Sequence, residues 1–186
     1  MENVILEIPR LKKVRDIFIF SCYTGISYAD LMLLTPQNLV IGMDKKIWIV
    51  TKREKNGNQV KLPLLLKASN LVDEYKDEKV CLINNSLLPR ISNQKVNSYL
   101  KEIAEMSGIK KNITFHLARH TFATTVALSN GVPIETVSKI LGHKKLSTTQ
   151  IYAKVVERKV SEDMEVLQQK LNGMNNIHSE NSSGMI

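Results

Sequence analysis

His116, Arg119 and His120 fall within one short stretch, FHLARHTFATT, running from Phe115 to Thr125. Two histidines four apart share a helix face and could share a metal ion, as they do in helical metalloproteases. Here, however, a permanent cation stands between them, and a guanidinium beside two neutral ligands opposes a divalent metal. The position where the metalloprotease motif carries its glutamate is Leu117. The same side chains suit an anion instead. Arginine offers a planar fork that matches two phosphate oxygens, and a neighbouring imidazole can donate or exchange a proton near neutral pH. Either histidine taken alone reads equally well as a half-buried, hydrogen-bonded ring.

Further on, ILGHKKLSTTQIYAKV sets His143 directly after Gly142 and places Tyr152 on a short helix beyond. Singly, each has a plain structural reading, the tyrosine as core and HKK as a solvated turn. Together and in this order, His-x-x-Arg, then Leu-Gly-His, then Tyr, they resemble the tyrosine recombinase (phage integrase) family, from Arg10 to Lys159.

That resemblance implies a chemistry. Tyr152 would attack a DNA phosphodiester to give a 3′-phosphotyrosine, with neither metal nor ATP nor any other cofactor. Free tyrosine has a pKa of about 10, so the attacking oxygen needs a neighbouring positive charge or a base. His116 beside Arg119 can meet that need. Arg119 would clamp the phosphate, and His143, matching the family's second histidine, would donate to a nonbridging oxygen. The family's general acid for the leaving 5′-oxygen is a hairpin lysine, which maps onto Lys55, with Lys52 a poorer choice. Without the downstream motifs, Lys55 would read as an exposed lysine that keeps a sheet edge soluble.

One position departs from the family's pattern. In CYTGISYADL, Ser27 stands where the family carries its first arginine, and serine cannot replace a guanidinium electrostatically. Either another cation takes over or the protein binds DNA without cleaving it well. Arg53 is the candidate substitute, because alternation along a strand would send Arg53 and Lys55 to one face. The alternative leaves Arg53 on the DNA backbone or in solvent and Ser27 as an N-cap partnered with Asp30.

These residues need elements to hold them. Pro9 opens a helix with apolar residues at helical spacing that Gly25 ends, and Ser27 caps a second helix that stops before Pro36. From Leu39 to Pro63 the pattern turns to short β-rich runs, predicting three antiparallel strands with a two-residue turn at Asn56-Gly57. Helical patterning resumes in LPLLLKASNLVDEY and, capped by Ser92 and stopped at Gly108, in SNQKVNSYLKEIAEMSG. Between them DEKVCLINNSLLPR reads as an irregular connector. Thr114 is the expected cap of a helix over 115–130, with Phe115, Ala118, Phe122 and Val126 as its apolar stripe. Another helix runs from Pro133 to Gly142, and Ser147 with Gln150 forms a capping box for the next. A last helix, Val155 to Leu171, carries Val155, Val156, Val160, Met164, Leu167 and Leu171 on a face that could pack in cis or in trans.

The expected fold is mainly α with a small antiparallel three-stranded β-sheet, the catalytic core shared by tyrosine recombinases and type IB topoisomerases. Residues 1–172 would form the catalytic domain and 173–186 a flexible polar tail. The family's N-terminal core-binding domain has no counterpart in the sequence, so a fragment or a reduced form is expected. A net charge of +8 over 186 residues favours a polyanionic partner, here double-stranded DNA. No apolar run approaches ~18 residues, and the N-terminus lacks a secretory pattern, which predicts a cytoplasmic protein. Cys22 and Cys81 read as buried, reduced thiols. The family works as tetramers on DNA with exchange of C-terminal segments. The expected function is therefore site-specific strand exchange, integrating or excising a mobile element. Its rivals are a type IB topoisomerase and a non-catalytic regulator, since GVPIETVSKILGHKKLSTTQIY also reads as a helix-turn-helix.

Overall fold

The computed structural model describes residues 1–153, 164, 165 and 167–169. The proposed helix from Val155 to Leu171 and the 173–186 tail lie wholly or mostly outside the described residues. In chain order the elements are α1 (Pro9–Thr24), α2 (Tyr28–Leu33), β1 (Leu39–Ile41), β2 (Ile47–Lys52), β3 (Gln59–Pro63), α3 (Leu66–Tyr75), α4 (Lys79–Ile83) and α5 (Asn93–Met106). After them come α6 (His116–Thr121), α7 (Ile134–Ile140) and α8 (Ser147–Ala153).

Helix α1 is the centre of the fold and packs against α3, α5 and α6. Leu11, Val14, Ile17 and Phe20 on it are completely buried, each burial contributing roughly 1.5–3 kcal/mol. Helix α5 answers with Val96, Leu100 and Ile103, all equally buried. Pro9 occupies the first turn, where its missing N–H costs nothing, and Gly25 leaves α1 at φ +68°. A side chain at Gly25 would sit 2.5 Å from the Phe122 ring and 2.9 Å from Leu141, so the left-handed corner is also a close approach.

The three strands form one antiparallel sheet in sequence order, with Ile49 paired to Leu62 and both side chains buried. A second, smaller cluster gathers Phe122, Ala123, Ala127, Leu128, Val137, Leu141 and Tyr152. Both cysteines are buried and free. Among the described residues no helix is long and apolar enough to cross a membrane.

Five local expectations are corrected. The turn at Asn56-Gly57 is wider than two residues: Arg53 N–H bonds to Asn58 O and Gly57 N–H to Arg53 O, with only Gly57 left-handed. Arg53 and Lys55 therefore lie beyond the end of β2, in the loop, and strand alternation does not place them. The segment KVCLI, expected as an irregular connector, forms α4. Leu62 and Pro63 belong to β3, so α3 starts at Leu66. Thr114 makes no side-chain cap, because Phe115 takes the position before α6. Ser147 is the first residue of α8, and Leu146 O receives the N–H groups of Thr149 and Gln150 in place of a Ser147–Gln150 box.

The helix expected over 115–130 is continuous but changes pitch. After α6 it widens into a π turn at Phe122–Ala127 and tightens into a 3-10 turn at Leu128–Asn130. The hydroxyls of Thr121 and Thr124 donate to the carbonyls of Leu117 and His120, a back-bonding that competes with the helical ladder and bends it.

Candidate active site

Helix α7 leaves carbonyls at its C-terminus without intrahelical partners, and the site is built on them. Gly142, left-handed at φ +61°, donates to Lys139 O, while His143 N–H reaches Ser138 O. This is a Schellman closure, so Leu-Gly-His is a stop signal that also delivers an imidazole at a fixed place. The freed Leu141 carbonyl accepts from Nη2 of Arg119 and, at 3.1 Å, from Nη1 of Arg53. The next carbonyl, that of Gly142, accepts from the side-chain amides of Asn56 and Asn58, each at 3.1 Å. Sheet loop, α6 and α7 thus meet at one corner.

Arg119 is 5% exposed and spans that corner. Its Nη1 donates to Gly25 O at 2.6 Å and its Nη2 lies 3.1 Å from Nε2 of His143. Burial, and then the neighbouring Arg53 charge, pull the guanidinium below its ordinary value to about 10, so it remains protonated at neutral pH. The Tyr152 hydroxyl acts in the other sense, favouring the charged form. Tyr152 is 3% exposed, its ring set edge-to-face against His120 at 4.9 Å between centroids. His120 meets His116 in the same way at 5.0 Å. His120 thus touches both the His116 ring and the tyrosine.

Asn97 accepts the Phe115 N–H at 2.8 Å and so fixes the start of α6, where His116 faces a cavity of about 430 Å³. Ser27, Asp30, Arg53, Lys55, His116 and Arg119 line it. Lys55 is exposed on its rim, as is Lys52 on the strand end outside it. Ser27 caps α2, its hydroxyl 3.4 Å from Asp30 N–H and donating to the Asp30 carboxylate at 2.6 Å. Tyr152, Arg119, His116, His143, Lys55 and Arg53 therefore gather around one cavity and the corner behind it, and Lys52 does not. Among the described residues no three His, Cys, Asp or Glu side chains cluster as metal ligands would.

His143 carries the site's clearest proton signature. Its Nδ1 lies 2.8 Å from the Thr149 hydroxyl, and an Arg119 N–H aimed at Nε2 requires that nitrogen to accept. The ring is thus neutral with its proton on Nδ1. Burial first, then Arg119 and Arg53, push its pKa from 6.5 down to about 4. Between these values the unfolded chain binds a proton that the folded chain refuses, so stability falls as pH drops from about 6.5 to about 4 and levels off below. His143→Gln is expected to flatten that slope in melting curves taken across the window. An unchanged slope would mean that His143 titrates as it does in the unfolded chain.

Three contributors escaped the sequence reading. His120 was seen within the anion cluster but given no part, and its contact with Tyr152 is tertiary. Thr149 has no distinct reading in the sequence, and Asp30 reads only as the partner of Ser27. Nothing in the local pattern announces that Asp30 also pairs with Arg53, 3.4 Å from its Nε, and accepts the Glu54 N–H.

Comparison with known proteins bears on the family and the fold. The family model described as "Phage integrase family" matches residues 5–159. Tyrosine recombinase XerA of Pyrococcus furiosus is 29% identical over 170 residues, covering 87% of this chain and 57% of XerA. Tyrosine recombinase XerD of Listeria monocytogenes is 48% identical over 63 residues, 34% of this chain and 21% of XerD. The chain thus spans less than two thirds of the length of these relatives. In fold it is similar to the XerH site-specific recombinase bound to a palindromic difH substrate, with a TM-score of 0.64 at 18% identity over 88% of this chain and 48% of XerH. A lambda integrase dimer bound to a core site gives 0.60 at 18% identity over 76% of this chain and 52% of the integrase. With its family model matched across the whole corner and cavity, the chain belongs to the phage integrase family.

Proposed function

We propose that this chain is the strand-cleaving and rejoining unit of a site-specific DNA recombinase, its catalytic part lying within residues 1–172. The observation that carries the reading is Arg119. One buried guanidinium, tied to the ends of α1 and α7, stands beside His143 and the Tyr152 hydroxyl.

In this reading the Tyr152 oxygen attacks phosphorus while its proton passes to the His120–His116 pair. The bond from phosphorus to the 5′-oxygen breaks, its electron pair stays on that oxygen, and Lys55 supplies the proton. The strand is left as a 3′-phosphotyrosine, and the 5′-hydroxyl of another strand reverses the steps. Charge on the nonbridging oxygens is met by Arg119 and His143, preorganised donors of the kind that stabilise a transition state. To donate there, His143 moves its proton to Nε2, and the Thr149 hydroxyl can then donate to Nδ1 where before it accepted. Such an enzyme would act in the cytoplasm on double-stranded DNA, as a tetramer exchanging C-terminal segments, to integrate or excise a mobile element. The lambda integrase similar in fold is itself a dimer on its core site.

A duplex recovered from a random-sequence pool by binding to this chain, nicked so that the cleaved fragment diffuses away, tests the reading. A covalent protein–DNA species on a denaturing gel is expected. Binding to the same duplex should weaken steeply with salt, each neutralised phosphate adding roughly 0.9 to the log–log slope. Salt-sensitive binding without an adduct would instead make the chain a regulator. Relaxation of supercoiled plasmid without site preference would make it a type IB topoisomerase.

A further inference from the structure

We propose that Arg53 is a second phosphate-binding residue of this site, sharing one anion with Arg119. The proposal rests on the reading of the corner as a phosphodiester site, but its observations are independent of the order of motifs in the sequence.

Arg53 does not behave as a loop arginine in solvent. Its side chain is 12% exposed, crosses from the β2–β3 loop to the end of α7, and lies so close over Gly142 that a side chain there would meet its Cδ at 2.6 Å. It then shares the Leu141 carbonyl with Arg119, so two guanidinium groups converge on one oxygen. Like charges this close in a half-dry corner repel, and the effect is visible in Arg119, where the Arg53 charge is the second cause of the lowered pKa. A single carbonyl cannot balance two cations.

The only carboxylate engaged with Arg53 among the described residues is Asp30, and that pairing is incomplete. Its Oδ2 is 3.4 Å from Nε, within ion-pair reach, yet Nε is buried with no hydrogen-bond partner. Asp30 is also spoken for twice, by the Ser27 hydroxyl and the Glu54 N–H. The pair of arginines therefore keeps positive charge and unused N–H donors, and both residues line the cavity that Lys55 and His116 also face. A tetrahedral anion with two free oxygens supplies what the corner lacks, an acceptor for the unused donors of each guanidinium. Ser27 lines the same cavity, joined to Arg53 through the Asp30 carboxylate, and contributes no charge.

Sulfate, a tetrahedral dianion, is the probe, read by its effect on the melting temperature of the full chain against sodium chloride of equal ionic strength. The parent should be stabilised by sulfate at a definable midpoint. Arg53→Ala should raise that midpoint at least about tenfold, Arg53→Lys less, since an ammonium keeps the charge but loses the fork. Adding Ser27→Arg to Arg53→Ala should bring the midpoint back, because a guanidinium would again face the cavity. On the nicked duplex, Arg53→Ala should slow adduct formation about 10²–10³-fold. If Arg53 merely tied the loop to α7, Arg53→Ala would lower the melting temperature without sulfate, leave the sulfate midpoint alone and resist rescue, and the proposal falls. It falls too if the parent ignores sulfate. Should Arg53→Ala fail to fold, Arg53→Lys with a parental midpoint overturns it. A parent that responds to sulfate but forms no DNA adduct removes the recombinase reading and leaves the shared anion standing.

Discussion

Tyr152→Phe is expected to abolish the covalent adduct on the nicked duplex while DNA affinity stays near that of the parent. Phenylalanine fits the space, because Tyr152 is 3% exposed within the cluster of Phe122, Ala127, Leu128, Val137 and Leu141. Only the hydroxyl disappears, and the net worth of one hydrogen bond, about 0.5–1.5 kcal/mol, bounds the change in stability. No phosphate-binding cation is touched, so the salt dependence of binding should also persist. A denaturing gel, an anisotropy titration and a melting curve on the same preparation separate the three quantities. An adduct formed by the Phe variant would mean that another residue is the nucleophile.

Arg119→Ala should be the most damaging single change in the chain, because it strikes fold and site together. The Gly25 and Leu141 carbonyls lose a charged donor, and His143 loses the partner that fixes its tautomer. A buried acceptor left unpaired costs about 1–3 kcal/mol, so a loss of roughly 2–5 kcal/mol in urea unfolding is expected. Adduct formation should slow by about 10³-fold or more, beyond the loss of one ordinary transition-state donor. Arg119→Lys keeps a charge yet cannot reach two carbonyls and a ring at once, so it should recover part of the stability and little of the rate. Parental stability in Arg119→Ala would show that the tethers are dispensable.

How much of this was legible in the sequence depends on whether the deciding force was local. Pro9, Gly25, Ser27, Ser92 and Gly108 mark their helix ends through single-residue backbone preferences, and the structure follows them. The two-fold spacing of Ile47, Ile49, Val60 and Leu62 likewise yields the sheet. Five residues of KVCLI are too few to separate a helix from a connector, and α4 is decided by its surroundings. The β2–β3 turn was misjudged because Asn56 and Asn58 are drawn to Gly142 O, a tertiary bond that outweighs the local two-residue preference. The choice of Arg53 came through a strand argument that the loop removes, yet the residue reaches the cavity by another route. His120 acquires its meaning only from a ring brought in by a distant helix, and Thr149 only once the turn after Gly142 folds the His143 ring back onto α8.

The carbonyl of Leu141 carries a lesson for anyone who surveys this chain by saturation mutagenesis. Such a survey scores side chains, and the acceptor that both guanidinium groups share at this corner belongs to none. Any residue placed at 141 would still present the same oxygen to both arginines, so the scan would charge position 141 only with the lost packing of a completely buried leucine. The signal would surface one residue later. At Gly142 a new Cβ would collide with Arg53 and with Val60 at 2.9 Å, and every substitution would look damaging for reasons that no property of the incoming side chain predicts. An ester in place of the 142 amide weakens the 141 oxygen as an acceptor and also removes the N–H that Gly142 gives to Lys139 O, so it would expose a backbone contribution that amino-acid exchange conceals.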